Sequence, residues 1–190
     1  MPTRTVQSAA ERAAHEIFQV EVAAALVELA KHYQIDVVRW GPVTDPAAIV
    51  GHQVAGIIGF AGEGFGGTLA IRAPSMVVRS CLPVADAGPE PHVLGDWIAE
   101  LANQLLGRTK NKLIRYHSTF QITPPTYAVA DELLVIGCDR GRTSWLSVTT
   151  HAGPLLVMVE LHVAPDFTFV AASDPNDATL VHAEGELMLF

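Results

Sequence analysis

The chain predicts an α+β fold: one mainly antiparallel β-sheet of about six strands with two long α-helices packed on one face. Three observations carry this reading. Residues 8–33 and 91–115 keep apolar positions at helical spacing over many turns. Two short apolar runs flank a glycine-rich connection, as in a hairpin. After Tyr116 the pattern becomes a meander of short runs, whose neighbours pair antiparallel.

Ser8 opens the first helix, and Glu11 three residues later completes a capping box. Ile17, Val20, Val22, Ala24, Leu26, Val27 and Leu29 give this helix a wide apolar face, suited to packing on a sheet. Thr44-Asp45-Pro46 is a turn. Gln53–Phe60 and Gly66–Arg72 form a hairpin around A-G-E-G-F-G-G. Pro74–Leu82 is a short helix with Pro at its first position, and a Pro/Ala/Gly connector then leads to the second long helix. Strands follow at Ser118–Thr123, Thr126–Ala130, Leu133–Cys138, Thr143–His151, Pro154–Ala164 and Phe167–Ala171. Val157–Val163 reads either as an apolar edge available to a second subunit or as an interior strand.

A length of 190 residues suits one domain with a full core, spanning 1–190. Residues 1–7 are expected to be a flexible N-terminus and about 174–190 a C-terminal extension. Its final stretch, Ala178 to Phe190, contains E-L-M-L-F, and two expectations stay open for it, docking on the body or on a partner. With 49% hydrophobic and 17% charged residues, the composition excludes a disordered chain. A formal net charge of -8 excludes nucleic acid, whose phosphates would be repelled. No signal peptide or apolar membrane span is present, so a soluble, cytoplasmic protein is expected. Cys81 and Cys138 make neither a disulfide framework nor a zinc motif.

Most candidate motifs dissolve on inspection. Gly62, Gly64 and Gly67 satisfy the letters G-x-G-x-x-G, but a strand-like T-L-A-I-R follows where a dinucleotide site needs a helix. A turn accounts for these glycines. The eight histidines lack the close helical spacing of common zinc sites and read as scattered core or surface residues. No serine lies in a nucleophile-elbow pattern.

The second long helix differs. Leu94, Ile98, Leu101, Ala102 and Leu105 gather on one side of it, while Asp96, Glu100, Asn103 and Gly107 share a sector of roughly 60° on the other. The outward ridge thus carries an anion, a neutral amide and a gap. Two readings are open: an ordinary solvated face, or a site. Gly107 costs the helix about 1 kcal/mol relative to alanine, and Pro124-Pro125 supply a rigid turn soon after the helix.

The run D-W-I-A-E-L-A-N-Q-L-L-G-R-T-K-N-K-L, followed by F-Q-I-T-P-P-T, resembles the signature of the CheX/CheC/FliY chemotaxis phosphatases. That pattern is an acidic residue or serine, then E-x-x-N on a long helix, then a proline further along. No asparagine precedes Asn103, so a single site, as in CheX, is indicated. The resemblance implies hydrolysis of the aspartyl-phosphate on a CheY-type receiver response regulator in two-component signalling. By the same resemblance, Asn103 positions the attacking water and Glu100 pairs with a lysine of the partner. Asp96, Gly107, Pro124 and Pro125 belong to the docking surface. Mg²⁺ is held by the receiver's acids, with no metal bound by this chain, and the protein forms a homodimer. The competing expectation is a non-catalytic receiver-binding or motor-switch adaptor, or a self-associating dimerisation domain, on the same scaffold.

Overall fold

The computed structural model describes residues 8–43, 49, 51–82, 90–133, 135, 137, 139 and 141–171. The elements run α1 (Ala9–His32), β1 (Val37–Pro42), β2 (Gln53–Gly62), β3 (Phe65–Pro74), α2 (Ser75–Ser80), α3 (Pro91–Leu113), β4 (Phe120–Ile122), β5 (Thr126–Ala130), β6 (Thr143–Thr150) and β7 (Gly153–Val163). Helix α1 starts where its capping box places it: the Glu11 amide donates to Ser8 Oγ at 3.0 Å, and the Ser8 amide donates to Glu11 Oε2 at 2.7 Å. Helix α3 has Pro91 in its first turn, where a missing N–H costs nothing, and a short 3₁₀ turn (Ile114–Tyr116) ends it.

The described strands form one seven-stranded sheet in the order β1-β6-β7-β3-β2-β4, with β5 also on β2, and every pairing is antiparallel. Strands β4 and β5 run in succession along β2. Ile122 faces Phe60 and Thr126 faces Ile57, so three residues, Thr123, Pro124 and Pro125, lie opposite two. This is a bulge, and the prolines cannot donate to the ladder that it interrupts. Thr123 secures it, its Oγ1 accepting from the Gly59 amide at 2.9 Å and its own amide donating to the Gly59 carbonyl at 3.0 Å.

Both long helices lie against the core face of the sheet, sharing one apolar cluster. Phe18, Val22 and Leu29 of α1 and Ile98, Leu105 and Leu113 of α3 meet Val54, Leu69, Ile71, Val157 and Leu161 of the sheet. Ion pairs tie α1 to the end of α3 and the 3₁₀ turn after it: Lys112 holds Glu28, and Arg115 holds the buried Glu21. No helix of the described residues is long and apolar enough to cross a membrane.

Several expectations change. Strand β1 was not anticipated; its V-V-R-W-G-P sequence has no alternation and it lies on a largely exposed edge. Leu133–Cys138 forms no strand at described residues 133, 135 and 137; the Leu133 carbonyl accepts from Arg72. Phe167–Ala171 is irregular, because Phe167 and Phe169 pack at 5.1 and 5.2 Å on Phe65 instead of pairing. Strand β7 lies between β6 and β3, so Val157–Val163 is interior and no edge for a second subunit. Pro74 precedes α2 as its cap residue, one position before the helix begins. The expected Thr44-Asp45-Pro46 turn, the flexible 1–7 and the 174–190 extension lie outside the described residues.

Candidate active site on the second long helix

Helix α3 approaches the sheet unusually closely, and two glycines permit it. A Cβ on Gly56 of β2 would fall 2.4 Å from the Ile98 carbonyl oxygen and 2.9 Å from the Ala99 nitrogen. A Cβ on Gly95 would fall 2.4 Å from the ring of Tyr127. Gly56 and Tyr127 are directly paired across β2 and β5, so they share the face toward α3. Helix backbone therefore rests on Gly56, and the Tyr127 ring rests on Gly95.

With α3 so placed, Leu94, Ile98, Leu101, Ala102 and Leu105 are buried and the ridge turns outward. Asp96 is exposed, while Glu100, Asn103 and Gly107 are partly exposed. Asn103 Nδ2 donates to Glu100 Oε2 at 3.3 Å, and Gln104 Nε2 donates to Glu100 Oε1 at 2.7 Å. Two amides on the same helix thus hold the carboxylate. Asn103 is partly exposed, and its Oδ1, an acceptor, takes no hydrogen bond from a described residue. Gly107 borders open space, where an added Cβ would meet nothing within 4 Å.

An open groove of about 420 Å³ runs between α3 and β5, lined by Asp96, Ala99, Glu100, Pro125, Thr126 and Tyr127. The bulge brings Pro125 to the helix, and Pro124 is exposed beside it. Asn103 stands on the ridge next to this groove and is not part of its wall. On the side of Glu100 toward α1, Tyr33 packs edge-on against Trp97 with ring centroids 4.8 Å apart. Burial pushes the Tyr33 phenol above its ordinary range, and the Glu100 charge adds to that effect.

Sequence reasoning assembled Asp96, Glu100, Asn103, Gly107 and the prolines in one region. It missed Gly56, Gly95, Gln104 and Tyr127. A second interior glycine in α3 was the available signal, since Gly95 costs the helix as much as Gly107 does. Among the described residues no group of three His, Cys, Asp or Glu is arranged to hold a metal ion.

Residues 54–145 match the family described as chemotaxis phosphatase CheX. That stretch is similar to CheX. The matched stretch holds β2, β3, α3, β4 and β5, hence Glu100, Asn103 and both prolines. Solved structures agree at low identity. A CheC-like superfamily protein from Shewanella sp. PV-4 superposes with a TM-score of 0.66 at 16% identity, covering 76% of this chain and 97% of that one. Chemotaxis protein CheX from Desulfovibrio desulfuricans gives 0.62 at 18%, with 77% and 99% covered. A chain of the CheX–CheY–BeF₃–Mg²⁺ complex from Borrelia burgdorferi gives 0.57 at 16%, with 76% and 97% covered. A comparison with curated protein sequences gives no match.

Proposed function

We propose that this CheX-like protein hydrolyses the aspartyl-phosphate of a CheY-type receiver response regulator, with Asn103 and Glu100 as the catalytic pair. The observation that carries the reading is the Asn103 amide on the α3 ridge, tethered through Nδ2 to Glu100 and open at Oδ1. Hydrolysis of an acyl phosphate joins a water oxygen to phosphorus as the bond to the aspartyl oxygen breaks. The leaving carboxylate needs no proton, so most of the task is holding water in line. A neutral amide can accept a hydrogen bond from that water without repelling the phosphoryl oxygens. A carboxylate in its place would repel them.

Glu100 has a second task in this reading. Its two oxygens each accept one hydrogen bond from the helix, which leaves lone pairs for a lysine of the receiver. Asp96, Gly107, Pro124 and Pro125 would form the docking surface around the pair, and Gly107 has the room to receive it. Mg²⁺ would arrive with the receiver, in keeping with the complex containing CheX, CheY and Mg²⁺. The homodimer belongs to the same proposal. Because β7 is interior, strand pairing between copies would use the open edge β1, where Val38 and Trp40 are exposed. Sedimentation of the wild type should show a dimer that Trp40→Asp weakens, and a monomeric wild type would remove it.

The test of function is the lifetime of a phosphorylated receiver. Wild-type protein should shorten it, and Asn103→Ala should lose activity by about 100-fold while unfolding at the wild-type temperature. A lengthened lifetime would instead identify the non-catalytic receiver-binding adaptor.

A further inference from the structure

We propose that Tyr127 is a specificity-determining contact of the site, touching the phosphorylated receiver as it reaches Glu100. The inference rests on the reading above and adds a residue outside the ridge. Four observations carry it. Tyr127 and Glu100 wall the same groove, so a side chain entering toward that carboxylate passes the ring. The ring is 40% exposed, and among the described aromatic residues only Trp40 is more so. No described residue gives or takes a hydrogen bond at its hydroxyl, although tyrosine hydroxyls usually have a partner when the ring is packed. Finally, a Cβ on Gly95 would fall 2.4 Å from the ring, so the ring lies on the helix where that glycine leaves room for it.

The chemistry of the groove says what it receives. Asp96 and Glu100 make it anionic, and Pro125 and Tyr127 give it a stiff apolar wall. A lysine or arginine of the receiver fits both features, its stem on the ring and its charge on the acids. Rigid aromatic residues next to charged groups commonly carry much of an interface's energy at small entropic cost. Tyr127 acts in capture and leaves the in-line water to Asn103.

The experiment is steady-state dephosphorylation of a phosphorylated receiver with the full-length chain and three variants. Tyr127→Ala should raise KM about tenfold, as for an interface anchor, with kcat within about twofold of wild type. Gly95→Ala keeps the tyrosine but drives a methyl group into its ring, and should raise KM similarly. In the double variant the collision is gone, so KM should equal that of Tyr127→Ala alone. An unchanged KM in Tyr127→Ala, or additive effects in the double variant, would overturn the assignment. Urea midpoints separate capture from folding, since a purely structural role would shift midpoints and leave KM alone. If the wild type itself fails to shorten the phosphate lifetime, the functional reading fails first and this contact with it.

Discussion

Asn103 and Glu100 form a coupled pair, not two independent residues, because one hydrogen bond of 3.3 Å joins them. In the proposed mechanism, removing Glu100 therefore does more than remove a partner for the receiver. It frees the Asn103 amide to rotate, and a water positioned by a free rotor is poorly aligned. Glu100→Ala is thus expected to raise KM and also to lower kcat. The losses from Glu100→Ala and Asn103→Ala should combine to less than their product in a double-mutant cycle. Asn103→Asp is a sharper test. It places a second carboxylate beside Glu100 at the position that the proposed mechanism sets against the phosphoryl group, so activity should fall by about 100-fold or more, with circular dichroism unchanged. That these two residues share the outward face of one helix was legible from the letters E-x-x-N and their spacing. Their hydrogen bond was not, nor was the hold of Gln104 on Glu100, because rotamers depend on neighbours that a sequence does not order.

At the scale of elements, the site exists because α3 lies on Gly56 with no Cβ between helix and sheet. Gly56→Ala would push a methyl group against the Ile98 carbonyl, which is backbone and cannot rotate away. Overpacking of this kind should cost about 1–3 kcal/mol in a urea titration, and the shift of α3 should lower activity further. Ser8→Ala acts far from the site. Losing the capping box should cost about 1 kcal/mol while leaving turnover of the phosphorylated receiver unchanged. The cap could be read directly from S-x-x-E, since capping is local. Gly56 could not be singled out among the many glycines of the hairpin, because its role is set by a helix some forty residues away. The bulge at Thr123-Pro124-Pro125 is intermediate: its prolines announce a break, but only the pairing of β4 and β5 with one strand shows where it points.

Across the whole molecule, α1, β7 and the turn before β6 converge on a charged cluster distant from the ridge. Arg142 meets Glu11, Asp139 and His162, and His162 meets Glu160. Arg142 Nη1 lies 3.1 Å from His162 Nδ1, and His162 Nε2 lies 3.1 Å from the buried Glu160 carboxylate. His15 is buried in the same region, facing Glu11, Arg142 and His162. Burial holds its pKa below the ordinary 6.5, with Arg142 and His162 acting the same way and Glu11 opposing. The folded state then binds fewer protons than the unfolded chain just below pH 6.5. The stabilisation is complete above that pH and is lost as pH falls toward the folded-state pKa. The unfolding temperature should drop between pH 7 and pH 5, and His15→Gln should flatten that slope whatever it does to stability at pH 7. By itself the sequence determined the class, the two long helices, most strands and the residues of the outward ridge, because periodicity, caps and motif spacing are properties of neighbours along the chain. Only the tertiary structure decided that β7 is interior, that β1 is an edge, and that Tyr127 and Glu100 wall one groove. Those facts depend on which distant backbones can approach, and the approach is governed by side chains that are missing at Gly56 and Gly95.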